Sequence, residues 1–185
     1  MSLIQLAKCA AVVSLSRAAG VALLLASPLV LACPFPDSDR GEAPAWLCDE
    51  PLFDGAQYTA VGDKSRVPSI SLQNRLAGKA AMVAVTGKLL EAGRDQLLSK
   101  LPPATRLTLP EADNLSVVAR FDGIRVLKKN QSPRRHLYVL AGVPDDEADA
   151  QLAIACREVV AANRKQLRKV MPETDLAALC LTAKN

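Results

Sequence analysis

The sequence predicts an α+β fold in which helices pack on a small, mostly antiparallel sheet, in the order strand, helix, strand, strand, helix. Three observations carry that expectation. Apolar residues alternate over short stretches near positions 56–62, 115–128 and 137–143, as half-buried strands require. Two longer stretches, after Pro68-Ser69 and after Pro144, repeat apolar residues at three- and four-residue spacings, as helix faces do. Half of the 185 residues are hydrophobic and 23% are charged, enough apolar material for one core and too much for a disordered tail.

Residues 1–32 read as a secretory signal peptide. They contain no acid, carry Lys8 and Arg17, and run apolar from Ala19 to Ala32. The unbroken apolar run falls short of the roughly 20 residues that span a bilayer, and Pro28 interrupts it. Val30-Leu31-Ala32-Cys33 resembles a bacterial lipobox, which makes Cys33 the expected lipid attachment residue and the first residue of the mature chain. Ordinary cleavage at the same bond is the alternative, because Val30 and Ala32 also satisfy the small-residue rule of a general signal peptidase. Pro34 stands where an Asp would favour inner-membrane retention, so the expected address is the outer membrane.

Residues 33–45 hold three prolines, Gly41 and mixed charge without periodicity, and read as a tether, with a single domain over 46–185. The run from Ala56 to Gly62 alternates as a strand. Pro68-Ser69 then starts a helix with the stripe Leu72, Leu76, Ala80, Val83 and Leu90, which extends through Leu97 and Leu101 to the stop at Pro102-Pro103. A second strand is expected from Leu115 to Lys128, with Leu115, Val117, Ala119 and Phe121 on one side and a bend at Gly123. Asn130-Gln131-Ser132-Pro133 turns the chain into Leu137, Val139, Ala141 and Val143, which completes a hairpin. After Pro144, four acids open a helix and Arg164, Lys165, Arg168 and Lys169 close it, both matching the helix dipole. Its inner stripe is Leu152, Cys156, Val159, Asn163, Leu167 and Val170, and Pro172 ends it. A short helix from Thr174 to Leu181 follows.

Composition narrows the function. Aromatics make up 3% of the chain, which leaves few flat surfaces for stacking bases or sugars. Without the leader's two cations the mature chain has 21 basic and 19 acidic residues, a net charge of +2 and no footprint of a nucleic-acid binder. If Cys33 is acylated, Cys48, Cys156 and Cys180 form at most one disulfide; if it is not, four cysteines allow three pairings. No cysteine pair has zinc-site spacing and the single His lies far from all of them, so neither a metal nor another cofactor is expected.

Pro44, Trp46, Pro51, Tyr58-Thr-Ala-Val61-Gly62, Arg75-Leu-Ala77 and Leu137-Tyr-Val-Leu140 together resemble the Lpp-twenty, FlgP-like type of bacterial lipoprotein over about Pro44 to Leu167. The resemblance implies an envelope lipoprotein without known catalysis, of strand-helix-strand-strand order, that assembles into rings or disks around envelope machines. The Leu31 lipobox and the proline-rich segment from Leu101 to Pro110 depart from that pattern.

Individual residues divide into structural and functional expectations. Trp46 is read as a lid over the sheet end, its indole satisfied by backbone. His136 lacks an evident orienting carboxylate or nucleophile, so it is expected to be an exposed or satisfied imidazole. Asp37 and Asp39 are expected to be solvated acids of the tether, and Gly87-Lys88 lies inside a helix without phosphate-loop spacing. Lys128, Lys129, Arg134 and Arg135 gather four cations at the hairpin tip, a candidate contact for phosphorylated lipid head groups or an acidic subunit. Asn114-Leu115-Ser116 has the form of a glycan acceptor in a chain whose leader reads as bacterial.

The expected protein is therefore a non-enzymatic, palmitate-bearing lipoprotein on the periplasmic face of the outer membrane, an accessory of an envelope assembly and flagellum-associated by resemblance. Its partners would be membrane lipid and a homo-oligomer or envelope machine, with no nucleic acid and no identified small-molecule substrate. The alternative is a soluble, disulfide-bearing periplasmic binding or adaptor domain.

Overall fold

A computed structural model describes residues 33–48 and 51–180. The leader 1–32 and the end of the last expected helix, Leu181, lie outside the described residues. The fold is α+β, as expected. A two-stranded hairpin, β1 (Cys33–Phe35) and β2 (Ser38–Ala43), leads into the single turn α1 (Ala45–Cys48). The main unit follows: β3 (Ala56–Lys64), α2 (Ile70–Leu98), the single turn α3 (Leu115–Val118), β4 (Arg125–Gln131), β5 (Leu137–Pro144), α4 (Asp145–Leu167) and α5 (Glu173–Ala178). Its three strands are antiparallel in the order β3-β5-β4.

β5 is the central strand and is buried on both faces. Leu137, Val139, Ala141 and Val143 face α2 and α4 in the main core. Tyr138 faces the opposite way, into a second cluster with Phe35, Ala43, Trp46, Leu47 and Val61. The N-terminal hairpin and α1 therefore form a lid over the sheet face that the helices leave open. This corrects the tether: residues 33–45 are folded, because Phe35 and Ala43 bury apolar surface and Cys33 is bonded to Cys48.

Ser69 caps α2, its side chain accepting the Leu72 N–H. The helix passes Gly93, as expected, and buries the predicted Leu90 and Leu97, but it ends at Leu98, short of Leu101, and over its first half the inner face is one residue away from the predicted leucine stripe. Gln73, Ala77, Ala81, Val85, Leu89, Gly93 and Leu97 are buried, whereas Leu76 and Ala80 are exposed. Small residues face inward because α2 lies directly on backbone. A Cβ on Gly62 would sit 2.0 Å from the Ala81 nitrogen, and one on Gly93 2.7 Å from the Cys156 nitrogen.

The expected strand from Leu115 to Lys128 is also corrected. Asn114 Oδ1 accepts the Ser116 N–H and nucleates a helical turn, and strand pairing starts only at Arg125. Val117 and Phe121 are buried while Leu115 is 65% exposed. A spacing of four satisfies a helical turn as well as strand alternation, which is why the pattern misled. In α4 the stripe holds through Cys156, Val159, Asn163 and Leu167, but Val170 lies past the helix end and is exposed. Cys156 and Cys180 form the second disulfide, which ties α4 to the segment after α5.

Thr86, fully buried on α2, has no hydrogen-bond partner for its hydroxyl among the described residues. Thr86→Val is expected to raise unfolding free energy by about 1 kcal/mol, because an unmatched buried hydroxyl is replaced by a methyl. Chemical denaturation measures it as a higher midpoint at unchanged slope.

Candidate functional site

Polar chemistry collects at the end of the sheet where the β4–β5 turn meets the start of α2. The first part is a clamp between lid and turn. Pro36-Asp37 forms the tip between β1 and β2, and the Asp37 carboxylate accepts hydrogen bonds from Ser132 Oγ (2.7 Å) and Tyr138 Oη (2.9 Å). The Tyr138 ring stacks on Phe35 and on His136, with centroids 6.1 and 4.8 Å away. His136 Nε2 lies 2.5 Å from Asp63 Oδ2, linking the end of β3 to the start of β5. The imidazole thus has the orienting carboxylate that the sequence did not reveal. Ser132 Oγ, however, donates to Asp37 and accepts the His136 backbone N–H, so hydroxyl and imidazole serve separate carboxylates. The constellation fastens the turn and offers no base to a nucleophile.

Asp37 is accordingly not a freely solvated tether acid. Removal from water alone would raise its pKa, but the hydrogen bonds from Ser132 and Tyr138 and the charge of His136 outweigh that and hold it below the ordinary carboxylate range. A lowered folded-state pKa contributes stability that is present above the unfolded value near 4 and is lost as pH falls through the folded value. Stability should therefore decline on acidification below about pH 4, and Asp37→Asn should flatten that limb while lowering stability at pH 7. Urea midpoints from pH 7 to pH 2 check both. Tyr138 is shifted upward, first by burial and then by the bond to Asp37, so its share is lost only in strong alkali.

The second part is an open cleft of about 400 Å³ lined by Arg66, Val67, Ile70, Gln73, Gln131 and Arg135. Gln73 is only 3% exposed. Its side-chain amide donates to Lys64 O (3.0 Å) and Arg135 O (2.7 Å), which joins the start of α2 and the end of β3 to the β4–β5 turn. Arg135 sits in the left-handed region at φ +61°, a conformation that this turn imposes on it. Neither Arg66 nor Arg135 has an ion-pair partner among the described residues. The cleft lining contains no acid.

The four tip cations named from sequence separate in space. Lys128 lies over the Phe53 ring at 5.5 Å, Lys129 donates to Asn74 and Arg134 approaches Asp39 at 3.9 Å, so Arg135 alone reaches the cleft. Among the family-like residues, Trp46 packs in the lid, Val61 contacts the lid cluster, Gly62 and Ala77 belong to the β3–α2 contact, and Arg75 is exposed. Tyr58 packs on the main core from a left-handed position, φ +52°, in a bulge of β3, and Pro44 precedes α1. Cys33 and Cys48 are bonded to each other, so in this state the Cys33 sulfur is not available for a thioether. Arg66 and Gln73 were not singled out in the sequence, since a lone Arg before a helix carries no pattern. Asp37 had a usable signal in the Pro-Asp turn pair.

No helix of the described residues is long and apolar enough to cross a membrane. No protein-family model matches the chain, and no curated protein matches it either.

Proposed function

We propose that the chain is an exported binding or adaptor domain of an oxidising envelope compartment, non-enzymatic and locked by two disulfides. The observation that carries this reading is the pairing of all four cysteines that follow the leader: Cys33 with Cys48 and Cys156 with Cys180. Disulfides persist where thiol-reducing systems are absent, in keeping with a secretory leader. Separations of 15 and 24 residues make each bond worth about 3 kcal/mol by chain-entropy arithmetic. The cleft supports a binding role, because it is lined by two arginines without ion-pair partners among the described residues and its rim is held by the Gln73 hydrogen bonds.

The lipid-anchored, Lpp-twenty-like reading draws on the tetrad Val30-Leu31-Ala32-Cys33 and makes the opposite demand on the same sulfur. Acylation of Cys33 would leave Cys48 unpaired and the lid held by the Asp37 bonds, the exposed Asp39–Arg134 pair and apolar contacts. Intact mass of the mature protein, purified without reductant, separates the two. A mass short by four hydrogens with no acyl addition supports the soluble domain; an acyl mass on the Cys33 peptide supports the anchor.

A further inference from the structure

We infer that the cleft between the start of α2 and the β4–β5 turn binds a phosphate monoester that carries a short apolar arm. This rests on the reading of the chain as a binding domain and names the ligand chemistry of that site. Two arginines, Arg66 and Arg135, line one cleft, and neither is paired to an acid among the described residues. Guanidinium presents a planar fork of donors that matches oxyanions, and two such groups balance the charge of a phosphate monoester, about −1.5 to −2 at neutral pH. The first turn of α2 contributes no acidic side chain, so the positive end of its dipole adds to the same field.

The walls are set before any ligand arrives. Gln73, buried beneath the cleft, bonds both the end of β3 at Lys64, two residues before Arg66, and the turn that carries Arg135. Ser132, at the base of that turn, is held from the far side by Asp37. Groups already ordered lose little freedom on binding. Beside the cations, Ile70 is 75% exposed and shares the lining with Val67 and Pro68. An alkyl arm laid on these three would cover apolar surface that now faces water. A volume of about 400 Å³ accommodates a head group and a short arm.

The test is an amide NMR titration of the oxidised mature chain with hexyl phosphate, inorganic phosphate and hexanol. Hexyl phosphate should shift the Gln73 side-chain amide and the Ile70 and Arg135 backbone amides saturably. Inorganic phosphate should act at the same site about tenfold more weakly, the equivalent of two unburied methylenes. Hexanol should have no effect at matched concentration. Arg66→Gln and Arg135→Gln should each weaken hexyl phosphate at least about tenfold, while Arg40→Gln leaves it unchanged. Both arginines are exposed, so the variants keep the fold, which their spectra verify directly. The inference is overturned by an absence of saturable shifts, by hexanol acting alike, or by full binding in the double variant. Co-sedimentation distinguishes the ligand's source. Pelleting with vesicles containing phosphatidic acid, but not with phosphatidylcholine alone, assigns a membrane lipid; NMR binding without pelleting assigns a soluble phosphoester. Loss of cleft binding with both disulfides intact refutes the ligand alone, and an acyl mass on Cys33 refutes the soluble-domain reading alone.

Discussion

Gly62→Ala is expected to destabilise the protein by about 3 kcal/mol, lowering the melting temperature by roughly 6–12 °C, and Gly62→Val by more. A single methyl at this position would meet the Ala81 nitrogen at 2.0 Å and the Ala80 carbonyl carbon at 2.5 Å. Both atoms belong to the backbone of α2, so no rotamer change relieves the contact. The helix would have to lift from β3, opening the packing of Ala77, Ala81 and Val85 against the sheet. Gly78 provides the control. It lies in the same helix, its added Cβ meets nothing within 4 Å, and Gly78→Ala should stabilise by about 0.5–1 kcal/mol through helix propensity. Thermal melts of the two alanine variants should therefore move in opposite directions. Equal shifts would mean that α2 does not rest on β3 as described.

Removing the second disulfide, as Cys156→Ala with Cys180→Ala, is expected to cost about 3 kcal/mol. The bond closes 24 residues of chain and spans from the fully buried Cys156 on α4 to the segment after α5. Leu176 and Leu179 pack into the main core, and Lys100 Nζ donates to Leu179 O at 2.6 Å. α5 is thus held by few contacts besides the sulfur bridge, and without it the last helix should detach before the rest unfolds. Hydrogen exchange should show α5 amides losing protection while β5 amides keep theirs. Uniform protection in the variant would place the stabilisation elsewhere.

The elements that were legible in the sequence are those whose signal is local and unambiguous. Ser69 and the Pro144 acid cluster mark helix starts by capping and charge, and β5 declares itself by alternation. The errors share a physical cause. Leucines dominate the hydrophobic signal of α2, but close contact with a backbone selects Ala77, Ala81 and Gly93, residues that carry little of it. Val117 and Phe121 fit two periods at once. The lid reads as a tether in the sequence because six-residue β2 has only one buried apolar side chain, Ala43; its stability comes from a disulfide and from Asp37 bonds that span 95 and 101 residues. The cleft is not legible in the sequence for the same reason: Arg66 and Arg135 lie 69 positions apart in the chain, and the contacts that bring their segments together, the β3–β5 ladder, the His136–Asp63 pair and the Gln73 amide, are all long-range.

The lid is the point on which fold and function meet, since it steadies the turn that forms one wall of the cleft and consumes the sulfur that a lipid anchor would need. Non-reducing proteolysis followed by mass spectrometry of the linked peptides tests it most directly. The expected result is one peptide pair joining Cys33 to Cys48 and another joining Cys156 to Cys180, with neither sulfur of the first pair alkylated by a blocking reagent added before digestion. A Cys33 peptide bearing acyl chains, with Cys48 recovered as a free thiol or bonded to Cys156 or Cys180, would contradict the account.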